Sequence, residues 1–115
     1  MADFAIATPV LPGKKDEWLA FARQMEGDHR DKLTAFAKAA GVTRIRAWLQ
    51  STPQGDMAVV VHEGPDAQNW LKKVATSDDP TAAWLRGMLK SVHGIDSESG
   101  EAPPNTQAVF DISMD

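Results

Sequence analysis

Near the start of the chain the side chains alternate, with Phe4, Ile6, Thr8 and Val10 on one side of an extended segment and Ala5 and Ala7 on the other. Period two is the signature of a strand, so Asp3 to Val10 reads as a first strand suited to burial on both faces. Pro12-Gly13 breaks it. The period then changes to that of a helix: Trp18, Phe21, Ala22 and Met25 form a stripe that continues through His29, Leu33, Phe36, Ala37 and Ala40, and Gly41 offers a C-cap. The helix is predicted to begin near Lys14, with Asp16 and Glu17 placing negative charge at the positive end of its dipole. Gly27 lies inside the run at a cost of about 1 kcal/mol relative to Ala, which predicts a bend or break near Gly27-Asp28.

From Val42 to Ser51 the alternation returns, with Ile45, Ala47 and Leu49 on one side and Arg44, Arg46, Trp48 and Gln50 on the other. Thr52-Pro53-Gln54-Gly55 supplies turn residues, and Asp56 to Glu63 makes the return strand around Ala58-Val59-Val60-Val61. A turn of even length sets Ser51 opposite Asp56, Arg44 opposite Glu63, Arg46 opposite Val61 and Trp48 opposite Val59. A bulge would shift each of these by one residue. The other face then carries Ile45, Ala47, Leu49, Ala58, Val60 and His62, a surface suited to helix packing. Asp66 is placed to cap a short helix with Ala67, Trp70, Leu71 and Val74 on one stripe. Asp79-Pro80 starts another, whose stripe of Trp84, Leu85, Met88, Leu89 and Val92 ends at Gly94 with Ile95 packing back. Ser97 to Asn105 reads as an exposed connection. Thr106 to Ile112, alternating Ala108, Phe110 and Ile112 with Gln107, Val109 and Asp111, reads as a fourth strand.

The order of elements predicts an α+β fold of ferredoxin-like type, β-α-β-β-α(α)-β, with a four-stranded antiparallel sheet and helices on one face. The uncovered face is the anomaly. A solvated face should be polar, yet the first and third strands are apolar on both sides, and the second carries Trp48 among arginines. A second copy of the chain, related by a two-fold axis, is the economical cover, so a homodimer is expected.

Leu11-Pro12-Gly13 leading into Glu17-Trp18, Gly41-Val42 before the second strand, and Pro80 to Asp96 with Trp84 and His93-Gly94-Ile95-Asp96 resemble the dimeric α+β barrel superfamily. Within it, the chain is similar to small bacterial families of unknown function. The resemblance spans nearly the whole chain and implies two ferredoxin-like sheets facing each other. Its motifs mark structure more than chemistry.

Composition narrows the picture. A chain of 115 residues is the size of one domain, taken as 1–115, and 43% hydrophobic with 24% charged residues is an ordinary globular make-up. The absence of cysteine excludes disulfides, thiolate nucleophiles and cysteine-ligated zinc. A net charge of −4 with scattered basic residues argues against nucleic acid as a partner. No apolar run approaches the roughly 18 residues of a membrane span, and Met1-Ala2-Asp3-Phe4 has no leader-like pattern, so no membrane partner and a cytoplasmic location are expected.

Candidate chemistry is sparse. An arginine beside an aromatic can receive a planar or carboxylated ligand. Arg44, Arg46, Trp48 and Gln50 share the sheet face assigned to the barrel interior, so Arg46 and Trp48, with Arg44 and His29, are the candidate ligand-binding residues of a cavity in the barrel, between sheet and helices. The competing reading pairs Arg44 with Glu63 and Arg46 with an acid of the partner copy. For His29 a haem ligand or base competes with a histidine that merely bonds a carbonyl near the helix bend, and the structural role is favoured. His62 reads as a core histidine. His93, in a last helical turn, reads as a partly cationic ring near Asp96. Trp18, Trp70 and Trp84 read as core. Three histidines on separate elements make no metal motif, the serines show no nucleophile elbow, and the isolated glycines form no phosphate loop. No cofactor and no metal are expected.

The expected function is binding of a small planar or anionic molecule by a homodimer. One alternative is an enzyme like the superfamily's cofactor-independent monooxygenases or haem-degrading members. Against haem, the first strand has no asparagine, and the Asn69-Trp70 pair lies on a short helix. The other alternative is a purely structural dimer.

Overall fold

The computed structural model describes residues 3–96 and 106–114. In chain order the elements are β1 (Phe4–Pro9), α1 (Lys15–Glu26), α2 (Arg30–Ala39), β2 (Arg44–Thr52), β3 (Gly55–Glu63), a 3-10 turn (Ala67–Asn69), α3 (Trp70–Thr76) and α4 (Pro80–His93). The strands form one antiparallel sheet in the order β1-β3-β2.

The hairpin follows the predicted register. Arg44 faces Glu63, Arg46 faces Val61, Trp48 faces Val59 and Ser51 faces Asp56, with Thr52 and Gly55 closing the turn. No bulge intervenes, because the Thr52 hydroxyl holds the loop at both ends. It donates to the Gly55 carbonyl at 2.6 Å and accepts from the Gln54 amide at 3.2 Å. β1 then pairs with β3, Phe4 opposite His62 and Thr8 opposite Ala58. This places Phe4, Ile6, Thr8, Ile45, Leu49, Ala58, Val60 and His62 on one face. The helices cover that face: the buried cluster joins Phe4, Ile6 and Ala58 to Trp18, Phe36, Trp70, Val74, Leu85, Met88 and Val92.

The long helical stripe is divided, as Gly27 predicts. The amides of Gly27 and His29 both turn back to the Gln24 carbonyl, at 3.2 and 2.8 Å, and α2 restarts from His29. An unbroken helix over these residues would run about 37 Å, longer than the roughly 30 Å of a nine-residue strand, so the break keeps both halves over the sheet. α4 has the ends its sequence calls for. The Asp79 carboxylate accepts from the Thr81 amide at 2.8 Å, and Gly94 takes a left-handed conformation (φ 70°) that ends the helix.

Two expectations are corrected. Asp66 does not cap the following turn; its carboxylate lies 3.2 Å from Lys73 Nζ, which also donates to the Ala40 carbonyl at 2.8 Å. Gly41, at φ 78°, lets this junction close, since a Cβ there would sit 2.6 Å from the Asp66 Cβ.

The second correction is larger: the described sheet has three strands, not four. Residues 106–114 carry no regular structure and are exposed throughout, Phe110 at 79% and Ile112 at 64%. Alternation gives a segment the capacity to lie in a sheet, but a strand also needs a paired strand beside it, and the described sheet ends at β1 and β2 without including this segment. The intervening stretch, expected as an exposed connection, lies outside the described residues.

Candidate functional site

Between the sheet and the helices lies a cavity of about 110 Å³. Its floor is the helix-facing side of the strands, Ile6 and Thr8 of β1, Ile45 and Ala47 of β2, and Val60 and His62 of β3. Its roof comes from α1, α2, α3 and α4, including Trp18, Leu33, Trp70, Leu85, Met88 and His93. Ala47 is exposed, so the cavity opens on the β2 side. Its polar lining consists of Thr8, His62 and His93, with the indoles of Trp18 and Trp70 each carrying one N–H, and no formally charged side chain lines it.

The two histidines share one chemistry. His62 is 4% exposed, stacks on Phe4 at 5.4 Å between ring centres and lies 5.7 Å from Trp70. Its Nδ1 is 3.1 Å from the Phe4 carbonyl. His93 is 8% exposed and meets Trp18 edge-on at 6.5 Å, with its Nδ1 2.9 Å from the Pro9 carbonyl. A carbonyl only accepts, so each Nδ1 carries the proton and each Nε2 is left with its lone pair. Burial pushes the pKa of both rings below the usual histidine value of 6.5 and outweighs the opposing pull of the carbonyl bonds. Both rings are therefore neutral at neutral pH. The cationic character expected of His93 gives way to burial, and the Asp96 carboxylate lies 3.7 Å from Lys90 Nζ.

The residues singled out in the sequence lie elsewhere. The alternation of β2 puts Arg44, Arg46 and Trp48 on the face turned away from the helices, and none of them lines the cavity. Glu63 Oε2 is 3.3 Å from Arg46 Nη2 and 3.9 Å from Arg44 Nε, at ion-pair distance but without hydrogen-bond alignment. Arg46 also lies 5.5 Å over the ring of Trp48, itself 49% exposed. Arg44, Arg46 and Trp48 thus form one surface group with Glu63. His29 lies apart from them, stacked face to face on Trp84 at 4.2 Å and 3°, with Phe21 against the same indole at 5.4 Å.

Sequence reasoning treated His62 and His93 separately and missed their meeting in one cavity. The hairpin register already turned His62 toward the helices. For His93 the decisive contact is with Pro9, far away in the chain, and no local pattern reports it.

Among the described residues there is no group of three or more His, Asp or Glu side chains placed to hold a metal, and no helix long and apolar enough to cross a membrane. No family model matches the chain, and no curated protein or solved structure is significantly similar to it.

Proposed function

We propose that this chain is a small-molecule-binding protein that takes a planar, apolar, uncharged molecule between sheet and helices and works as a homodimer of ferredoxin-like subunits. The observation that carries the binding reading is the cavity itself. Apolar cavities of about 150 Å³ accept a benzene-sized molecule, and a space of about 110 Å³ that opens at one side is of that order. The absence of charge from its lining favours a planar neutral ligand over an anionic one, because an ion moved there would lose its hydration without gaining a partner. A macrocycle such as haem is too large for it. The arginines remain available for an anion only on the opposite face.

The dimer reading rests on that opposite face. Ala5, Ala7, Val59, Val61 and Trp48 lie there together, with no helix of the described chain over them. Arg44, Arg46 and Glu63 supply a charged border. An apolar centre with a polar rim is the anatomy of a protein interface. An enzymatic alternative, oxidation of an aromatic substrate without a cofactor, gains some support from two neutral imidazoles able to accept a proton.

Titration of isotope-labelled protein with a panel of single-ring aromatic compounds tests the binding reading. Saturable shifts centred on Ile6, Leu85 and Met88 are expected. Shifts confined to Trp48 and Arg46, or none at all, would overturn it. Light scattering tests the dimer: twice the chain mass is expected, reduced to the single mass by Trp48→Asp, and a single mass for the unaltered chain would remove the dimer.

A further inference from the structure

We infer that the cavity selects molecules presenting a neutral hydroxyl group, because its two imidazoles offer lone pairs and no N–H. This rests on the binding reading above and adds the ligand's polar chemistry. At His62 and His93 the Nδ1 proton is committed to the Phe4 and Pro9 carbonyls. No hydrogen-bond partner for either Nε2 occurs among the described residues, and both rings line the cavity. An acceptor beside an apolar space is better matched by a ligand that brings a donor than by one that does not. A hydroxyl arriving with an apolar body supplies that donor, whereas a hydrocarbon of equal size does not. A ligand bearing only an acceptor, such as an ether, finds no donor on either imidazole. Thr8 can donate or accept, and the indoles of Trp18 and Trp70 carry one N–H each, so these groups do not select against a hydroxyl.

The two acceptors stand apart. Their anchors, Phe4 and Pro9, are the two ends of β1, about 17 Å apart at the strand's rise per residue. His62 lies against Phe4 and Trp70, and His93 against Trp18. A single-ring ligand therefore gives its hydroxyl to one of them at a time.

The test uses the unaltered chain with three probes of similar size: phenol, toluene and anisole. Phenol is expected to bind about tenfold more tightly than toluene, the gain of one well-made hydrogen bond, and anisole, which brings no donor, should leave both Nε2 resonances in place. The nitrogen resonance of one Nε2 should move with phenol and stay in place with toluene. Toluene or anisole binding as tightly as phenol, with no response at either Nε2, overturns the hydroxyl inference while leaving the cavity reading intact. Failure of all three to bind overturns both. His62→Phe and His93→Phe then assign the acceptor: one variant should lose the preference for phenol over toluene while still binding toluene, and retention of the preference in both rejects the imidazoles as its source.

Discussion

The two faces of the sheet share a backbone and a supply of apolar side chains, yet they differ in what their polar groups do. On the helix side, the polar side chains are neutral and few, and His62 and His93 are fastened through Nδ1 to carbonyls of β1. On the outer side, full charges stand beside alanines and valines, with Arg44 and Arg46 both directed to Glu63. The difference follows from water. Where helices exclude it, a charge would have to be neutralised or paired with good geometry, so only uncharged polar groups persist. Where it reaches the guanidinium groups, two arginines can share one carboxylate at imperfect angles, although the Glu63 Oε2 between them is itself covered and has no hydrogen-bond partner. A face that is apolar and merely bordered by charge is suited to contact; a face that is apolar and closed is suited to enclosure.

Equivalent changes on the two faces should therefore have unequal effects. Trp70, 6% exposed and packed on Phe36 at 5.5 Å, should lose about 3–5 kcal/mol of stability on Trp70→Ala. Trp48→Ala, measured by urea unfolding at concentrations where the chain is a single subunit, should lose less than about 1 kcal/mol. Similar losses at both sites would erase the contrast.

Acid should act through the closed face. Both histidines have a folded-state pKa below the unfolded value of 6.5, so between those limits the unfolded chain binds more protons. Stability is then fully present above pH 6.5 and falls as the pH drops below it, at up to about 2.7 kcal/mol per pH unit while both rings remain neutral in the folded state. Denaturation midpoints compared at neutral and mildly acidic pH check this. A flat profile would mean that the rings are not excluded from water.

Smaller effects belong to the outer face. Arg46→Ala should change stability by no more than about 1 kcal/mol, and a double-mutant cycle with Glu63→Gln should return a coupling within the same limit. Removal of residues 106–115 should change it by less than about 0.5 kcal/mol, since the described part of that segment is exposed. A loss of several kcal/mol on truncation would show that the segment contributes to the packed domain in solution.

Much of the fold was legible because the signals were local. The hairpin register came from turn length and the Arg44–Glu63 charge match, the helix break from Gly27, and the start of α4 from Asp79-Pro80. The fourth strand was misread for the complementary reason: alternation describes a segment, whereas pairing describes two. The site was only half legible. The same alternation sets Ile45 and Ala47 toward the helices and Arg46 and Trp48 on the other face, the one expected to line a barrel interior, whereas the cavity within a single chain lies beneath the helices. His93 depended on a contact between the end of α4 and the end of β1, which exists only after the chain has folded.

The four tryptophans occupy distinct surroundings: Trp18 and Trp70 line the cavity, Trp84 lies under the His29 ring, and Trp48 stands in the open on the outer face. The molecule thus carries its own optical reporters. Emission from the cavity pair should respond to an enclosed guest and that of Trp48 to the arrival of a second copy. Replacing Trp48 by Phe would separate the two signals, so occupancy and self-association could be followed in one cuvette.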